Sequence, residues 1–214
     1  MKNIIVLSAV VLFFAAACNN AEKTAENKDT SIQNEAAQAS SSSQAWLVNP
    51  KLSSITWTGT KPGKEHIGTV SLIEGTLSLE YEKITAGNFS IDMTSIVETS
   101  NADDPKSQKK LVNHLKSNDF FSVDLYPLSR FVITEVKDDS IFGNLTIKNI
   151  TKGIKFPANI TLGETSLSAL ASFEIDRTDW DIYYKSGKKL KDKLIDNVIG
   201  DKVAFKVTLI ANKK

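Results

Sequence analysis

Apolar and polar residues alternate along most of the chain beyond Trp46. Ile55 and Trp57 fall on one side of an extended segment, Thr56 and Thr58 on the other. Leu77, Leu79 and Tyr81 alternate with Thr76, Ser78 and Glu80, and Phe89, Ile91 and Met93 with Ser90, Asp92 and Thr94. Phe131 and Ile133 belong to another such run. Ile141, Gly143, Leu145 and Ile147 share a face. Ile154, Phe156, Ala158, Ile160 and Leu162 alternate with Lys155, Pro157, Asn159 and Thr161. Leu167, Ala169, Ala171, Phe173 and Ile175 follow, and Val203, Phe205, Val207 and Leu209 close the chain. Successive side chains of a strand point to opposite faces, so this period of two predicts half-buried antiparallel strands. Short links such as Lys137-Asp138-Asp139 and Gly163-Glu164 suit hairpins.

One segment breaks the rhythm. Asp103-Asp104-Pro105 offers an acidic cap and a proline at the first helical position, and Leu111, Val112 and Leu115 follow at helical spacing. Asn118-Asp119 should end that helix. A second, weaker helical stretch is expected within Gly187 to Asn197. The pattern is therefore all-β, an antiparallel sheet of about eight strands with one or two short helices. Such a sheet must pair or hide its edges. Closing into a barrel does so, although a two-sheet sandwich satisfies the same pattern.

The N-terminus is of another kind. Lys2 precedes an almost wholly apolar run, Ile4 to Phe14, then Ala15-Ala16-Ala17 and Cys18. The run is shorter than the ~20 residues a membrane-spanning helix needs. With its small residues before a cysteine it resembles a bacterial lipobox, which implies a signal peptide over 1–17 and a lipid on the Cys18 thiol. This cysteine has no partner in the chain, so no disulfide framework exists. Residues 18–45 are rich in Ala, Ser, Asn, Gln, Glu and Lys and bury too little to offset their chain entropy. They read as a disordered tether spanning roughly 30 Å, leaving 46–214 as one domain. Asn19 is not the aspartate associated with inner-membrane retention, which favours the outer membrane of a bacterial envelope.

Composition excludes more than it suggests. A formal net charge of +1 gives no electrostatic case for nucleic acid. With His66 and His114 the only histidines and no cysteine in the domain, the sequence argues against a Cys/His metal site and leaves carboxylate sites open. Gly59 to Lys64 is one residue short of a phosphate loop, and Glu65 stands where Ser or Thr is required, so it reads as a hairpin. No Gly-x-Ser-x-Gly elbow and no positioned acid–base pair point to catalysis, and no cofactor is implied. His114 fits a helix-end role, as a cap or through a hydrogen bond to backbone carbonyls. His66 fits a strand start. Lys185, Lys188, Lys189, Lys191 and Lys193 form the densest basic run, either a solvated face or an attraction for anionic head groups.

A more specific signal lies in the order of several motifs. His114-Leu-Lys-Ser-Asn-Asp-Phe-Phe121 is followed by Tyr126-Pro127 and Phe131. Gly143-Asn-Leu-Thr-Ile-Lys148 precedes Thr151-Lys152. Phe89 to Ile96 ends in Ser-Ile, and Phe173 to Trp180 leads into an Arg-containing loop. Together these resemble the YceI-like family from Trp46 to Ile210. The resemblance implies a lipocalin-like, extended antiparallel β-barrel that takes a polyisoprenoid, fatty acid or fatty amide inside. On that reading Trp57, Phe89, Ile91, Met93, Phe131, Ile133, Leu145, Ile147, Phe156, Ile160, Phe173, Ile175 and Phe205 are candidates for the lumen wall. The chain departs from the family pattern at Asn49 to Ser54, where Asp-x-x-His-Ser is frequent, and at Val112-Asn113, where Arg-Asp is frequent. Both departures concern polar groups suited to a ligand head.

The expected function is that of a lipid-anchored carrier or scavenger of a long apolar amphiphile, with a membrane partner through Cys18. A homodimer is among the states the sequence allows. Two rivals make different demands. A structural module needs a filled core and an exposed apolar patch. A lipid-modifying enzyme needs polar residues clustered in the lumen.

Overall fold

The computed structural model describes residues 35–188 and 198–214. The signal segment, Cys18, the tether up to residue 34, and most of the Gly187–Asn197 stretch with Lys189, Lys191 and Lys193 lie outside the described residues. The strands are β1 (Gln44–Val48), β2 (Ser54–Lys61), β3 (Lys64–Glu80), β4 (Lys83–Glu98), β5 (Leu128–Lys137), β6 (Ser140–Ile147), β7 (Ile150–Leu162), β8 (Ser166–Asp176) and β9 (Lys202–Lys213). Among the described residues one α-helix, α1 (Pro105–Lys116), lies between β4 and β5, and a short 3-10 turn, Arg177–Trp180, follows β8. The first strand starts two residues before Trp46.

Every neighbouring pair of strands is antiparallel, and the pairing of β3 with both β2 and β4 closes the sheet on itself. The sandwich alternative is thereby replaced by a barrel. Nine strands make eight staves, because β1 and β2 share one slot. β1 pairs with Thr76–Leu79 of β3 and Ala211–Lys213 of β9, and β2 pairs farther along the same two strands. Between them the chain turns out of the wall. Ser53 repairs the gap, its Oγ accepting from the Ile210 amide at 3.0 Å, while the Asn49 amide donates to the Ile210 carbonyl at 2.7 Å. Closure leaves no free sheet edge running the length of the domain.

The turns follow local chemistry. Pro62-Gly63 joins β2 to β3, with Gly63 at φ 71° supplying the left-handed residue such a turn needs. The glycine-rich segment is therefore a hairpin, as its spacing implied. Tyr81-Glu82 and Lys148-Asn149 make two-residue links with both φ values positive, the geometry that matches the twist of flanking strands.

α1 begins as the sequence foretells. The Asp104 side chain accepts from the Ser107 amide at 3.0 Å and Pro105 fills the first turn. Its apolar side buries Leu115. A polar staple holds it to the barrel rim. Glu98, 1% exposed, accepts from Asn101 Nδ2 at 3.0 Å and from Ser100 Oγ, and His66 Nδ1 lies 3.6 Å away. Gln108 of the helix donates to the Glu98 carbonyl. Burial lowers the pKa of His66, against its hydrogen bond to Glu98.

Candidate functional site

Alternation turns one side chain of every two into the barrel, and the inward set is almost wholly apolar. These residues surround a cavity of about 240 Å³. Each of the thirteen side chains from Trp57 to Phe205 named above lies on its lining. Phe131, Leu145, Ile160, Phe173 and Phe205 face inward yet are only partly buried, so space remains on their inner side.

The middle of the barrel carries an aromatic belt. Phe89 of β4 stacks on Phe131 of β5 at 6.1 Å, and Phe131 meets Phe156 of β7 at 5.5 Å. Phe156 stacks on Phe173 of β8 at 4.2 Å and 13°, and Phe173 on Phe205 of β9 at 5.6 Å. Trp57 of β2 stands opposite Phe205. Such pairs contribute ~0.5–1.5 kcal/mol each beyond their buried area. Where the belt crosses β6 and β3, glycine makes room. A Cβ on Gly143 would lie 2.3 Å from the Phe131 ring, and one on Gly68 would lie 2.3 Å from the Trp57 ring.

One end of the barrel is capped by residues that alternation does not reveal. Leu115 of α1, Phe120 and Phe121 of the following loop, and Trp180 and Ile182 after β8 complete the lining. Leu115 falls at helical spacing and Phe120, Phe121 and Trp180 lie in the motifs shared with the family, whereas Ile182 has no signal beyond a large apolar side chain. Arg177 organises this cap from within. It is 1% exposed, with Nε donating to the Gly200 carbonyl at 3.0 Å and Nη1 to Ile182 at 2.6 Å. Nη2 donates to Ile199 at 3.2 Å and to Asp201 Oδ1 at 3.1 Å. Burial lowers its pKa, opposed by Asp201 and Asp176. Trp180 Nε1 donates to the Leu145 carbonyl at 3.2 Å, fastening the cap to β6.

His114 joins three parts of the cap. Its ring meets Tyr184 at 4.2 Å and Phe120 at 6.0 Å, both edge-on. The expected bond to backbone carbonyls is not made by the side chain, whose Nε2 is buried without a hydrogen-bond partner. The ring packs against aromatics, and at the helix end it is the His114 carbonyl that takes part, accepting from the Ser117 amide at 3.1 Å. Burial lowers its pKa, Asp119 opposes that shift, and Lys185 adds to it. The unfolded chain takes up this proton near pH ~6.5, whereas the folded chain resists it. The stability owed to neutral His66 and His114 is therefore full above that pH and is lost as the pH falls toward their depressed folded values. The melting temperature should drop between pH 7 and pH 5, and His114→Phe should drop less. An equal drop in the variant would remove His114 from this account.

Comparison with known proteins places this geometry in a family. Residues 46–211 match the YceI-like domain. The chain belongs to the YceI-like family. A UPF0312 protein of Pectobacterium atrosepticum is 31% identical over 98 residues, 44% of this chain and 47% of that protein. One from Shewanella denitrificans is 28% identical over 104 residues, 46% and 50% of the two chains. The chain thus spans about half the length of the curated relatives it matches. Among solved structures, two show this fold clearly. Burkholderia cenocepacia BcnA superposes with a TM-score of 0.58 at 18% identity, covering 76% of this chain and 98% of that one. A polyisoprenoid binding domain from Saccharophagus degradans, implicated in plant cell wall breakdown, gives 0.55 at 13% identity, covering 80% and 99%.

Proposed function

We propose that this YceI-like domain holds a long apolar amphiphile in its barrel and carries it through the aqueous part of a bacterial envelope. The observation that carries the reading is the apolar cavity, larger than the ~150 Å³ that accommodates benzene in an engineered core. The polyisoprenoid-binding neighbour supports a prenyl or alkyl tail as the buried part. Cys18 with its tether would keep the carrier at a membrane, and Asn19 favours the outer one.

Each methylene buried in the cavity contributes ~0.8 kcal/mol, against which stands the cost of association. Affinity in a series of straight-chain alcohols should therefore rise about fourfold per methylene and flatten where the chain outgrows the cavity.

The direct test is organic extraction and native mass spectrometry of the purified protein. A chain-like lipid should recur in the wild type. Phe173→Gln should hold less than about a tenth as much while keeping its β-sheet circular dichroism. A wild type that is repeatedly empty and shows no chain-length dependence would defeat the carrier reading.

A further inference from the structure

Among the described residues, the lining holds two polar side chains, Arg177 and Ser129. They differ in kind. The Arg177 nitrogens are committed to Gly200, Ile182, Ile199 and Asp201. Ser129 is 4% exposed, and its hydroxyl is buried with no hydrogen-bond partner. It shares the inward parity of β5 with Phe131 and Ile133 and stands opposite Ile91 of β4. This places it one step from the Phe89–Phe131 stack, toward the end that α1 closes.

A buried hydroxyl without a partner is costly, and native structures seldom keep one. Alanine would fit the same small position without that penalty. A serine can turn its Oγ among three staggered positions about a single bond, and it can donate or accept. We infer that Ser129 is a ligand-selecting residue that hydrogen-bonds an oxygen function, hydroxyl or carbonyl, of the enclosed amphiphile. The inference rests on the carrier reading and deepens it. The cargo is then no plain hydrocarbon inside the barrel. Its oxygen-bearing part lies within the wall, on the capped side of the belt, and not only in water beyond it.

The test compares decan-1-ol with undecane, which match in heavy-atom count. Both compete for a bound fluorescent naphthylamine probe on the purified full-length chain. Ser129→Ala should weaken decan-1-ol about fivefold, the value of one ordinary hydrogen bond, while undecane binds as well as before or better. Ser129→Thr keeps a hydroxyl and should restore most of the alcohol affinity. With no ligand, Ser129→Ala should melt above the wild type, which shows that a weaker alcohol complex is not a folding defect. Equal alcohol binding by wild type and Ser129→Ala overturns the Ser129 inference and leaves the carrier reading standing. Failure of both compounds to displace the probe from wild type overturns the two together.

Discussion

Alanine at Gly68 is expected to lower the melting temperature by about 10 °C, and trimming the ring above it should recover little of that loss. A Cβ there would lie 2.0 Å from the Val97 carbonyl oxygen and 2.3 Å from Trp57. The first obstacle is backbone in a closed wall and cannot rotate away. Overpacking a tight core costs ~1–3 kcal/mol, and more where backbone must move. Replacing a strand glycine gains only ~0.5–1 kcal/mol in return. A net loss of ~3 kcal/mol in a domain of this size corresponds to about 10 °C. Gly143 is the informative comparison. Its nearest obstacle is the far end of a side chain, Phe131 at 2.3 Å, with the Val132 carbonyl at 2.6 Å. Phe131→Leu should therefore rescue Gly143→Ala in part, measured as a coupling in a double-mutant cycle, whereas Trp57→Phe should leave Gly68→Ala nearly as damaged. Equal rescue at both positions would mean that ring contact alone governs the belt.

Arg177→Met should cost ~3–5 kcal/mol, the penalty for breaking a buried charged network from one side. The methionine replaces the stem of the side chain but leaves three loop carbonyls without their donor, and Asp201 without its cation. Lysine should not restore it, because a single ammonium cannot reproduce a planar fork that reaches Gly200, Ile182 and Ile199 together. The damage should be local first. Amide exchange at Ile182, bonded to the Arg177 carbonyl, should accelerate more than exchange in β7 or β8. Because Trp180 and Ile182 form part of the lid over the cavity, a lipid bound in the variant should also dissociate faster. A variant with normal exchange at Ile182 and only a global loss of stability would contradict the role given to Arg177.

The sequence revealed the barrel wall more readily than the barrel end. Parity along a strand is a local property, so Phe89, Phe156 and Phe173 could be assigned to one face without knowing their neighbours. Closure is not local. It depends on β3 reaching both β2 and β4, and alternation is blind to that. The cap was hidden for a different reason. Phe120, Phe121 and Ile182 sit in loops and Trp180 in a single 3-10 turn, Arg177–Trp180, where no strand period exists to give them a direction. Arg177 is marked by the Phe173–Trp180 motif, but its burial becomes legible only when the carbonyls of residues 199 and 200 are folded back onto it. Ser129 has the parity of Phe131 and Ile133, but a small polar side chain adds nothing to the apolar alternation that marks the inner face.

The way β1 is held has a mechanical consequence. It is clasped on both sides, by four residue pairs with β3 and three with β9, and the Lys214 amide adds a bond to the Ala45 carbonyl. A pull applied at Gln44 in the direction of β1 acts along the axis of this strand. It loads all those rungs at once, in shear, instead of peeling them one by one. Such a pull is resisted at the end remote from α1, away from the lidded face.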